Sequence, residues 1–170
     1  NNVDGEPVLH VERLGVGAAD VEIAQTVNHD VTDYAILRLQ LTFQILEQSL
    51  DVCGIQGSEC PLFVRLNYTD QNGTNRVWQQ GFFATGNIDD NNTPGLCKPC
   101  GVVQQPHARV QQGQTAFVDL NLLELMTLDG TPQPRRINSL SVVVSGHSFT
   151  TEIVDIALIA EESPRLPNTP

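Results

Sequence analysis

The sequence predicts an all-β fold: an antiparallel β-sandwich, a jelly roll of about eight strands with one short helical turn. Three observations lead there. Apolar and polar residues alternate with a period of two through eight separate segments, turn-forming residues lie between those segments, and no 3.6-residue periodicity runs long enough for a helix of domain-building length. A period of two sends successive side chains to opposite faces, so each such strand buries one face and wets the other. Stacked or closed antiparallel sheets bury those apolar faces economically. Doubly wound α/β folds and helical bundles need helices that are missing, and propellers and solenoids need a repeat of roughly 20 to 50 residues that is also missing.

Residues 8–14 and 21–26 read as the first two strands. The clearest is 35–46, where Leu37, Leu39, Leu41, Phe43 and Ile45 alternate with Arg38, Gln40, Thr42 and Gln44. Residues 62–69 and 76–85 form a hairpin, because Asp70-Gln71-Asn72-Gly73-Thr74-Asn75 joins them and Asn-Gly suits the positive φ angles of a type I′ turn. Asp70-x-Asn72-Gly73 also has the form of the opening of a calcium loop, but the twelfth position, where a bidentate Glu belongs, is Gly81. A sixth strand covers 115–122. In 121–127, Asn121 with Glu124 three residues on has the spacing of a capping box, which predicts a single helical turn, and Pro132 and Pro134 prevent its continuation. Strands at 137–145 and 152–160 complete the set.

The domain is expected to span 8–162, between a linker at 1–7 and a C-terminal linker at 163–170, both polar and Pro-containing. With 170 residues and 18.6 kDa, one domain is the natural size. Residue 1 is Asn rather than Met, so the chain is expected to be either a processed product or a piece cut from a longer one, and its linker-like ends favour part of a larger protein. Nine Lys plus Arg against twenty Asp plus Glu give a net charge of -11, which repels nucleic acid and anionic membranes. No apolar run approaches the roughly 18 to 20 residues that cross a bilayer.

Cys53 and Cys60 form one cluster, Cys97 and Cys100 another. Two disulfides are the simplest reading. Sequence leaves the three connectivities open, although 53 with 60 and 97 with 100 require only that each loop double back. The even count, the low Lys content and the single Met126 favour an oxidising compartment, secreted or cell-envelope exposed. Four thiolates, or three with His107, would alternatively suit tetrahedral zinc. Cys97-Lys98-Pro99-Cys100 lacks the following helix that a redox-active pair needs.

The run Asp33-Tyr34-Ala35-Ile36-Leu37-Arg38-Leu39-Gln40-Leu41-Thr42-Phe43 resembles the long early strand of galactose-binding-like domains, the superfamily of discoidin modules and many carbohydrate-binding modules. The helical turn at 122–126, the strand at 137–145, the Ser145-Gly146-His147-Ser148-Phe149 turn and Ile153-Val154-Asp155-Ile156-Ala157-Leu158-Ile159 are similar to the way those jelly rolls finish. The resemblance implies end loops that bind glycans or other ligands, often a structural calcium, and no catalytic residues. Under it, Asp155 would share a calcium with an early acidic residue, Glu12 above all, or Glu6 or Asp20.

The residues themselves supply several candidates. Trp78 is either a core indole beside Phe82 or a stacking platform flanked by Arg65, Arg76 or Gln80. Asp89 and Asp90, within 87–95, gather the oxygen donors that bind calcium or contact a ligand, or else form a solvated turn. Asp155, among Ile153, Val154, Ile156 and Ala157, is expected to be half-buried and so to need a partner. Nucleophilic catalysis finds no Gly-x-Ser-x-Gly elbow, and no enzymatic activity is expected. The expected function is a non-catalytic, extracytoplasmic recognition or adhesion module, with a glycan or protein as ligand. The alternatives are a structural or sensor ectodomain without a small-molecule ligand and a carbohydrate-active enzyme domain, for which no carboxylate pair can be placed.

Overall fold

The computed structural model of the chain describes residues 2–3, 6–17, 19–51, 53, 60–86, 103–104 and 107–162. In chain order the elements are β1 (Asn2–Val3), β2 (Glu6–Pro7), β3 (Leu9–Arg13), β4 (Ala19–Asp30), β5 (Tyr34–Gln48), β6 (Cys60–Asp70), β7 (Asn75–Phe83), β8 (Val103–Gln104), β9 (Ala108–Arg109), β10 (Ala116–Asn121), α1 (Leu122–Leu128), β11 (Pro134–Gly146) and β12 (Phe149–Glu162). All eight predicted strands form, as β3 to β7 and β10 to β12. β1 pairs with β2 inside the stretch expected to be linker.

A four-stranded sheet runs β10-β5-β12-β3, and the other sheet runs β4-β11-β6-β7-β8, with β9 also on β7. Apart from the β6–β7 hairpin, the long strands alternate between the two sheets along the chain, and the last two, β11 and β12, insert between earlier ones. That order is a jelly roll, two interleaved Greek keys. Every pairing is antiparallel except those of β8 and β9 with β7.

The core lies between the sheets, as the alternation requires. Leu37, Leu39, Leu41, Phe43 and Ile45 of β5 face Leu62, Val64, Leu66 and Tyr68 of β6 and Trp78 and Phe82 of β7, while Leu122 and Met126 of α1 close one end. Removing each of these side chains from water contributes roughly 1.5–3 kcal/mol. A smaller cluster on the outside of the second sheet joins Phe63, Phe83 and Val143 to the Cys53–Cys60 disulfide. That bond excludes cross-pairing of these two sulfurs with the other cluster, and it removes both as zinc thiolates. Cys97 and Cys100 lie outside the described residues.

Two local expectations need correction. A type I′ turn needs two positive φ angles, but at the hairpin tip only Gly73 has one, at +82°. The Gly73 amide donates to the Asp70 carbonyl at 3.0 Å and the Asp70 amide to the Thr74 carbonyl at 2.9 Å, closing a three-residue loop with a left-handed glycine. The buried Asp70 carboxylate replaces the second positive φ as the organising device. It accepts from the amides of Asn72 and Thr74, both at 2.9 Å, and from Arg76 Nε at 2.7 Å. At α1, Asn121 makes no side-chain capping bond; its Nδ2 donates instead to Glu124 Oε2 at 3.4 Å.

β4 is an edge strand that pairs, among the described residues, only with β11. Nearly all of it is exposed. Asn28 adopts φ +50°, where the register with β11 shifts between Ile137 and Ser139, a β-bulge.

Candidate functional site

Among the described residues, the predicted site residues Trp78, Glu12 and Asp155 do not come together. Trp78 is 0% exposed, pairs with Leu66 and points into the sandwich, so its indole offers no face to a ligand. Asp89 and Asp90 lie outside the described residues. Asp155 is exposed rather than half-buried, because the register between β12 and β5 shifts between Ile153 and Asp155 and turns its carboxylate to solvent. Glu12 is also exposed and pairs with Thr150, five residues from Asp155 along β12, about 16 Å of extended strand. One ion, with ligand distances of about 2.3–2.6 Å, does not span that separation. Among the described residues no group of three or more His, Cys, Asp or Glu side chains gathers at metal-binding distance.

A different surface does bring functional groups together: the outer face of the four-stranded sheet. The polar phase of β5 puts Arg38, Gln40, Thr42 and Gln44 there, and directly paired residues share a face. One row across the sheet is Phe117–Thr42–Asp155, the next is Asp119–Gln40–Ala157, and a third is Asn121–Arg38–Ile159. Beyond Thr42, Gln44 pairs with Glu152, which pairs with His10. Neighbouring positions in a row are about 4.8 Å apart, so each row of this platform forms a strip three strands wide.

Phe117 stands on this platform with 64% of its surface exposed. No other aromatic side chain among the described residues is an exposed large apolar group: Phe43, Phe63, Phe82, Phe83, Phe149, Tyr68 and Trp78 are all buried. Its strand explains its position. Ala116, Val118 and Leu120 pack toward the core while Thr115, Asp119 and Asn121 face outward, so Phe117 occupies the polar phase of an amphipathic strand. That out-of-phase aromatic is the sequence signal for the site, and a search confined to Trp and Tyr passes over it.

The polar groups around the ring are held in place. Arg38 Nη1 donates to both carboxylate oxygens of Asp119 at 3.0 Å, and Gln40 Nε2 donates to Asp119 Oδ2 at 3.1 Å. Gln44 Nε2 donates to Thr115 Oγ1 at 2.6 Å, and His10 Nδ1 lies 2.9 Å from Glu152 Oε1. The result is an apolar ring bordered by amides, hydroxyls and a carboxylate ion-paired to Arg38. Such a surface can stack an apolar face of a ligand and hydrogen-bond its edge.

No family model matches the sequence, and no curated protein does. Among solved structures, similar chains include TmCBM61 in complex with β-1,4-galactotriose, with a TM-score of 0.41 and 13% identity over 91% of this chain and 70% of that one. An exo-β-agarase has a TM-score of 0.38 and 16% identity over 96% of this chain and 22% of its own. PfGH50B has a TM-score of 0.32 and 12% identity over 95% of this chain and 24% of its own. The chain thus spans about a quarter of each of those two chains. At these scores the likeness carries no weight for ligand or activity, and the jelly roll rests on the strand order itself.

Proposed function

We propose that the chain is a non-catalytic carbohydrate-recognition module of an extracytoplasmic protein, which binds a glycan on the outer face of its four-stranded sheet. The observation that carries this reading is Phe117, an exposed phenyl ring in the polar phase of β10 among fixed hydrogen-bonding groups. A sugar ring has an apolar face of C–H groups and an equatorial belt of hydroxyls. Phe117 supplies the stacking surface, while Gln40, Thr42, Gln44, Asp119 and Asp155 supply edge contacts. The buried Cys53–Cys60 disulfide supports an oxidising compartment.

A glycan array run with and without calcium, followed by calorimetry on the best ligand, tests the proposal. Phe117→Ala should weaken binding at least about tenfold with little change in melting temperature, since the ring is exposed. Asp89→Ala and Asp90→Ala report separately on the 87–95 segment. Binding that survives Phe117→Ala would sink the assignment of this face. A second reading, an ectodomain that packs on a protein through the same platform, is favoured by the same exposed ring; array silence with Phe117-dependent self-association would select it.

A further inference from the structure

We propose that the outer face of the other, larger sheet holds a second site, built from Arg65, Gln79, Ser141 and His107, for a ligand that presents an oxyanion, carboxylate or sulfate. The inference does not depend on the Phe117 platform, which lies on the opposite sheet.

The register assembles the group. Arg65 of β6 pairs with Gln79 of β7 on one side and with Ser141 of β11 on the other, and in the adjacent row Phe63 pairs with Gly81 and Val143. His107 sits against Gly81, edge-on to Phe63 with ring centroids 5.5 Å apart. Gln79, Ser141 and His107 are 1%, 1% and 4% exposed, yet Gln79 Nε2, Ser141 Oγ and His107 Nε2 have no hydrogen-bond partner. Native proteins rarely leave buried polar atoms so. One row further along, Asn67 Nδ2 and Ser139 Oγ satisfy each other at 3.0 Å.

The open positions are donors. Gln79 Oε1 already accepts from Arg65 Nε at 3.0 Å, which leaves the amide NH2 free. His107 Nδ1 accepts the Gly81 amide at 3.1 Å, so the neutral ring carries its hydrogen on Nε2. Ser141 adds a hydroxyl. Arg65 commits only Nε to a hydrogen bond; its Nη1 is 3.6 Å from Glu22 Oε1, beyond hydrogen-bond range, and its side chain is 28% exposed. A sugar hydroxyl arriving here would bring a proton of its own, whereas a carboxylate or sulfate is acceptor-only and matches the guanidinium fork bidentately. Arg65 is the point of entry, and the incoming anion takes the place of Glu22 beside it.

Nitrogen-15 NMR of the full chain tests this, with an oligogalacturonate, sodium acetate and sodium sulfate as probes and a neutral oligogalactan of equal length as control. Saturable shifts are expected at Arg65 Nε, the Gln79 side-chain amide and His107 Nε2 with the anionic probes and not with the neutral one. Response to acetate and sulfate alike supports a general oxyanion site, and response to the uronate alone supports a saccharide carboxylate. Arg65→Gln should weaken binding at least about tenfold, Glu22→Gln should strengthen it by removing the competing carboxylate, and Phe117→Ala should leave it unchanged. Melting curves confirm that each variant is folded. Absence of shifts with every anion, shifts that persist in folded Arg65→Gln, or ordered water alone on all three atoms in a crystal grown with the uronate would overturn the proposal.

Discussion

Gly81 and His107 fit together with no room for a methyl group between them. The imidazole Nδ1 accepts the Gly81 amide at 3.1 Å, and a Cβ at position 81 would lie 2.5 Å from that nitrogen and 2.9 Å from Phe63 Cε1. Close approach, not an unusual backbone angle, is what calls for glycine here. Gly81→Ala should therefore destabilise by about 2–3 kcal/mol through overpacking. Adding His107→Ala should recover part of that loss, a non-additivity that a double-mutant cycle in urea reads directly.

Burial also makes His107 a pH-sensitive element of stability. Desolvation lowers its pKa from 6.5 to about 4, so between those values the unfolded chain binds a proton that the folded chain refuses. Stability is full above pH 6.5 and falls as pH drops toward 4, by about 3 kcal/mol. Asp70, held below 3.8 by Arg76 and the Thr74 and Asn72 amides, acts in the same direction only below that value. Urea midpoints at pH 7, 5.5 and 4.5 should show the decline, and His107→Asn, whose Oδ1 accepts the Gly81 amide without titrating, should flatten it.

What the sequence made legible follows from where period two maps cleanly onto a face. Leu37 to Ile45 are buried in the predicted phase because β5 has one wet and one dry side. β4 reads as 21–26 but runs Ala19–Asp30, since an edge strand exposed on both faces has little alternation to reveal its ends. Alternation does not orient β7, because it carries large apolar groups on both faces: Trp78 and Phe82 enter the main core, while Phe83 packs outside beside the disulfide. Asp155 escapes the expected burial through a bulge, which periodicity does not register. The His107 and Gly81 contact joins residues 26 apart, beyond the reach of any local pattern.

Asp70 should prove the most sensitive residue of the β6–β7 hairpin. Its buried carboxylate ties two amides and Arg76 into one tip. Asp70→Ala should lower the melting temperature by several degrees. Asp70→Asn keeps an acceptor for the amides but loses the charge facing Arg76, so it should fall less. Calorimetry on the two variants checks the order.

The Cys53–Cys60 bond closes a short loop, with a sequence separation of 7, so its removal should cost about 2–3 kcal/mol through the unfolded state. Both sulfurs are buried, so dithiothreitol should reduce the bond slowly in buffer and quickly in denaturant. Mass spectrometry of alkylated samples over time measures the difference. Equal rates would mean that this corner opens without global unfolding.

The long margin of β4 that no described strand covers bears on how the protein behaves when concentrated. Among the described residues the amides and carbonyls of that margin have no strand partner and offer a template to a neighbouring copy, but Asp20, Glu22 and Asp30 place charge along it and the kink at Asn28 interrupts the stretch. Filament growth is thereby held off electrostatically as well as sterically. Once acid discharges those three carboxylates, only the kink remains, so fibrils should nucleate first from acidified stocks.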